Sequence, residues 1–87
     1  MDYLMVRHKV ADFDQWKTFF DSHKEVQLEY GLHFHMLHRN IDDPDELFII
    51  FEIADLDRAR EFLNSTELFI VQKQAGVLDK PDIWFLK

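Results

Sequence analysis

Hydrophobic and polar residues alternate from residue 3 to residue 10, with Leu4, Val6, His8 and Val10 on one side and Tyr3, Met5, Arg7 and Lys9 on the other. A period of two marks a strand. From Asp12 the period changes. Phe13, Trp16, Phe20, His23, Gln27 and Tyr30 follow at steps of three and four, along one stripe of a helix. Asp12 suits the N-cap with Gln15 at the capping-box position, and Gly31 suits a left-handed C-terminus, so a single helix is predicted between them. Strand periodicity returns over residues 32–40 and 46–53, joined by a turn of Asp42, Asp43, Pro44 and Asp45. A hairpin closed by those four residues puts Leu32, Phe34, Met36 and His38 on the same face as Leu47, Ile49, Phe51 and Ile53. Asp55 opens a second helix carrying Leu56, Ala59, Phe62 and Leu63, Asn64 and Ser65 predict a break, and the helix resumes through Leu68, Val71 and Ala75 to Gly76. Pro81 then introduces a last strand over residues 82–86.

This order, strand-helix-strand-strand-helix-strand, predicts an α+β domain of the ferredoxin-like βαββαβ type, with both helices on one face of a four-stranded antiparallel sheet. No repeat, low-complexity stretch or linker divides the chain, so residues 1–87 are read as one domain. The other face of the sheet is expected to carry Met5, Leu37, Phe48 and Ile50 among Arg7, His33, His35, Arg39 and Glu52. That face is too apolar for water, and an apolar patch rimmed by charge predicts a partner surface. A second copy of the chain is the expected partner: burying about four such side chains from each copy contributes several kcal/mol before association entropy.

The net charge is −7, with acids grouped at residues 12–14, 42–46 and 55–57 beside element boundaries. That balance argues against nucleic acid and anionic membrane as partners. The chain has no cysteine, hence no disulfide framework and no thiolate zinc site. Its first residues resemble no signal peptide and no apolar run could span a bilayer, so a cytoplasmic protein is expected. Nine Phe and two Trp can build a core, or line a pocket for a flat organic ligand.

Histidine is the candidate chemistry. His8 and His38 are expected on the helix-covered face, with His23 packed over it. Three imidazoles in one apolar layer are unusual, because each needs hydrogen-bond partners or costs roughly 1–3 kcal/mol. His8 and His23 are the candidate catalytic residues, as proton carriers, and each also has a plain structural reading. Trp16, Phe20, His38, Phe51, Phe62 and Trp84 are the candidate substrate-binding set, with core packing as the alternative. In the expected strand order His8 and His38 lie on lines roughly 9–10 Å apart, too far to share a metal ion. His33 and His35 point the same way and would need a carboxylate such as Glu52, or the same pair from a second copy, to make a metal site, so none is expected. They are instead assigned to the dimer interface, in an ion-pair network with Arg7, Arg39 and Glu52. No phosphate-binding loop, nucleophile elbow or HExxH motif is present.

Several short runs together resemble the small dimeric α+β barrel proteins related to antibiotic-biosynthesis monooxygenases, often labelled cyclase-like. They are Arg7-His8-Lys9-Val10, Asp12-Phe13-Asp14 followed by Trp16-Lys17, Phe20-Asp21 with His23, and Arg39-Asn40 before Asp42-Asp43-Pro44. Asp55-Leu56, Ala59-Arg60, Ser65 with Glu67-Leu68, and Ala75-Gly76-Val77 before Pro81-Asp82 complete them, over nearly the whole chain. The resemblance implies a homodimer with a cavity between helices and sheet in each subunit. It also implies a cofactor-independent monooxygenase or cyclase-like enzyme on an aromatic or polyketide-like substrate. Relatives of this fold include haem-degrading enzymes, but Trp16 and His23 lie on the first helix rather than the second, so neither haem nor another cofactor is expected. A non-catalytic binding or interaction module of the same fold is the alternative.

Overall fold

The structure, a computed structural model, describes residues 1–87. Its elements are β1 (Asp2–Lys9), α1 (Phe13–Ser22), α2 (Lys24–Glu29), β2 (Leu32–Arg39), β3 (Glu46–Ile53), α3 (Leu56–Leu63), α4 (Thr66–Gln74) and β4 (Asp82–Leu86). The four strands form one antiparallel sheet in the order β2-β3-β1-β4. This is the predicted ferredoxin-like α+β arrangement. Leu4, Val6, Leu47, Ile49, Phe51 and Ile53 project from the two central strands into a core completed by Trp16, Ala59, Phe62 and Ala75 from above. No helix is long and apolar enough to cross a membrane.

The first helical segment differs from the single helix expected. It breaks at His23, which ends α1 and precedes α2. The Ser22 hydroxyl donates to the Phe19 carbonyl at 2.8 Å and His23 Nδ1 lies 2.8 Å from the same oxygen. Side chains that bond to nearby carbonyls compete with the helical ladder, and here they end it. Asp12 caps α1, accepting from the Asp14 amide rather than closing a box with Gln15, while the Phe13 amide donates to Asp45 of the β2–β3 turn. The second helical segment breaks where predicted: Ser65 accepts from the Leu68 amide and donates to the Phe62 carbonyl.

The hairpin holds the main correction. β2 pairs with β3 as Leu32↔Ile53 and Phe34↔Phe51, then shifts to Met36↔Ile50, Leu37↔Ile49, His38↔Phe48 and Arg39↔Leu47. A bulge at this point adds one residue to β2 and exchanges the faces of everything after it. Leu37 and Arg39, assigned to the dimer surface, therefore lie on the helix-covered side. Leu37 packs against the core, and the Arg39 guanidinium sits 3.7 Å from the centre of the Phe13 ring. Met36 and His38, assigned to the covered side, share the open side with Ile50 and Phe48. At the other edge β1 pairs with β4 as Met5↔Trp84 and Val6↔Ile83. Trp84 thus belongs to the open side, and Ile83 to the covered one.

Candidate functional site

Between the helices and the covered side of the sheet lies an open cavity of about 590 Å³ with mostly apolar walls. Its floor includes Leu4, Val6, His8, Ile49 and Phe51; Trp16, Phe20, His23 and Gln27 from the first helical pair and Phe62, Leu68 and Val71 from the second form its roof. Around this space Trp16 stacks on Phe20 at 4.8 Å, and Phe20 leans on Phe51 at 6.1 Å. Four of the six residues expected to bind substrate, Trp16, Phe20, Phe51 and Phe62, are therefore together. The other two are not. His38 is exposed on the open side because of the bulge, and Trp84 lies there because its pairing with Met5 sets its direction.

His8 is the unusual group. The period of β1 drives it into the layer between sheet and helices, where it is 4% exposed. Trp16 meets its ring edge to face at 5.5 Å. Neither ring nitrogen has a hydrogen-bond partner. Burial pushes its pKa down to about 4, with Asp79 opposing that shift and Arg7 reinforcing it. At neutral pH His8 is therefore an uncharged imidazole, offering one N–H donor and one bare nitrogen to whatever enters the cavity. Two buried polar atoms with no hydrogen-bond partner in the protein are costly, and that cost is relieved by a ligand able to meet them.

His23, the second catalytic candidate, lines the same cavity but is half-buried and differently held. A carbonyl can only accept, so in the contact with Phe19 the Nδ1–H donates. Gln27, 6% exposed, also lines the cavity. The helical stripe contained it, but no role was assigned to it; the available signal was an amide at a position whose neighbours on the stripe are aromatic.

The open side brings together most of the residues expected at a dimer interface. Met5, Arg7, Phe48, Ile50 and Glu52 are half-buried there, and His35 lies 3.4 Å from Glu52 and against Tyr3. Of the predicted network among Arg7, Arg39, Glu52 and the histidines, only the contact of His35 with Glu52 is present. Arg7 instead binds Glu46 and Asp82, and Arg39 lies on the other side. Asn40 and Arg7 both donate to Glu46 and hold its carboxyl below the ordinary carboxylate range. No three histidine or carboxylate side chains gather as a metal site would require.

No protein-family model and no curated protein sequence matches the chain. Solved structures do. A protein from Bordetella bronchiseptica named for the antibiotic biosynthesis monooxygenases superposes with a TM-score of 0.78 at 14% identity, over 99% of this chain and 94% of its own. SnoaB, a cofactor-independent oxygenase from Streptomyces nogalater solved as a point mutant, gives 0.71 at 16% identity, over 99% and 90%. A conserved protein from Methanosarcina mazei gives 0.72 at 12%, over 99% and 90%. The chain therefore has the fold of the antibiotic biosynthesis monooxygenase-like proteins, at identities that speak for the fold alone.

Proposed function

We propose that this chain binds a flat, mostly apolar organic molecule in the cavity between helices and sheet, and that it does so as a homodimer joined through the open side of the sheet. The observation that carries the reading is His8: a buried, uncharged imidazole with both nitrogens unpartnered, in the wall of an apolar cavity large enough for a small ligand. The enzymatic form of the reading is a cofactor-independent oxygenase or cyclase-like activity. His8 accepts a proton from an activated C–H or O–H of the ligand, and the aromatic walls hold the ring. An imidazole with a pKa of about 4 is a weak base in the empty cavity. A ligand anion formed beside it stabilises the imidazolium, so proton transfer needs a ligand acidic in its own right. The fold shared with SnoaB supports this form without specifying a substrate.

A thermal-shift screen of phenols, quinones and flat polycyclic compounds tests the binding. Hits are expected that raise the melting temperature of the wild type and do so much less in His8→Ala, with a smaller dependence in His23→Ala. A screen with no His8-dependent hit would end the proposal. Oxygen uptake with each hit then separates the two forms. Binding without consumption of oxygen or ligand makes the chain a binding module of the same fold.

A further inference from the structure

The chain buries only two polar side chains, His8 and Gln27, and both line this cavity. They come from opposite layers, His8 from the sheet and Gln27 from the helices. They also stand at opposite ends. Trp16 in α1 packs on His8, while Phe20, one turn further on, packs on Phe34 and Phe51. Gln27 follows in α2 and, with Phe20 and Phe34, borders a smaller notch of about 240 Å³ at that far end. In the register of β1 on β3, His8 lies opposite Leu47 and Leu4 opposite Phe51. The two ends are thus about four residues apart along the sheet, roughly 13 Å at the rise of a strand. A hydrogen bond of about 3 Å at each end leaves roughly the length of two fused rings between them.

The charges near the cavity are all at its rim. Glu67, Lys73, Asp79 and Lys80 border it, and each is exposed. Lys17, Asp21 and Lys24 border the notch beside Gln27, so a charged group held between the two poles would lie among apolar walls with its counter-charges only at the edges, at a large desolvation cost. A carboxamide, like a neutral imidazole, offers both a donor and an acceptor, so each pole suits a hydroxyl or a carbonyl.

We infer that Gln27 is the second polar contact of this cavity, and that the ligand is an uncharged flat molecule with hydrogen-bonding groups at two opposite ends, one met by His8 and the other by Gln27. The inference rests on the cavity being the binding site. Gln27 acts as a specificity residue: it selects ligands by the position of their second polar group.

Titration calorimetry with 2-naphthol, naphthalene-2,6-diol and naphthalene-2,3-diol tests it. The wild type is expected to bind the 2,6-diol about fivefold or more tightly than 2-naphthol, the worth of one added hydrogen bond. It should also prefer the 2,6-diol to the 2,3-diol, whose hydroxyls share one end. Gln27→Met keeps the length of the side chain and removes its polar atoms. This variant should lose the preference for the 2,6-diol over 2-naphthol and melt close to the wild type, because an apolar chain of equal length replaces the amide in a mostly apolar wall. A role confined to folding would lower the melting temperature and leave the preference intact. Equal binding of the two diols by the wild type, or a preference that persists in Gln27→Met, overturns the inference while leaving the cavity as a binding site. Failure of all three probes to bind the wild type sinks the underlying proposal as well. The comparison of diols needs no variant, so it decides the question even if Gln27→Met does not fold.

Discussion

The two sides of the sheet are built from similar residues and treat them differently. On the covered side Leu4, Leu47, Ile49 and Phe51 are shut away from solvent, and His8 among them has no hydrogen-bond partner. On the open side Phe48 and Ile50 stay half-buried, Arg7 is held between Glu46 and Asp82, and His35 has Glu52. The contrast teaches that a histidine in this fold takes its chemistry from the side it faces. Residue type is the same on both sides; access to water and to carboxylates is not.

The largest test of that contrast is truncation. Leu47→Ala should destabilise the chain by about 3 kcal/mol or more, because the closed layer cannot refill the cavity it leaves. Ile50→Ala, at protein concentrations low enough to keep copies apart, should cost less than about 1 kcal/mol. Similar losses in denaturant melts would erase the distinction.

The pH dependence of stability comes next. With a pKa of about 4 when folded and an ordinary value of 6.5 when unfolded, His8 takes up its proton more readily in the unfolded chain. Its contribution is fully present above pH 6.5 and is lost as the pH falls towards 4, to a total of about 3 kcal/mol. His8→Phe should remove this slope between pH 6.5 and 4, leaving the carboxylate-driven loss at lower pH. A variant whose stability falls as the wild type's does over that range would show that His8 is not the group responsible.

Assembly sharpens the contrast from the other side. Ile50→Asp should weaken pairing of two copies by about tenfold or more, read as a lower mass in sedimentation. The smallest effect is expected at the sheet edge: Arg39→Ala loses its contact with the Phe13 ring and should cost about 0.5–1 kcal/mol. No change on melting would mean that the contact is idle.

Much of this molecule was readable without coordinates, for a physical reason. The periods of two and about three and a half are properties of the backbone, so they placed all four strands, both helical segments, the break at Asn64 and Ser65, and the inward direction of His8. The bulge after Phe34 left no such trace. One unpaired residue in β2 costs little locally, yet it moved Leu37 and Arg39 to the covered side and Met36 and His38 to the open one. Trp84 was misplaced for a related cause: its direction depends on how β4 registers against Met5, which residues 82–86 do not specify alone. The break at His23 arose from side-chain bonds to Phe19 that compete with the helix. Local sequence thus determined which residues face a core. Tertiary structure decided which polar groups in that core lack partners, because the isolation of His8 depends on what arrives from other elements. A strand or helix cannot encode the company its neighbours will bring.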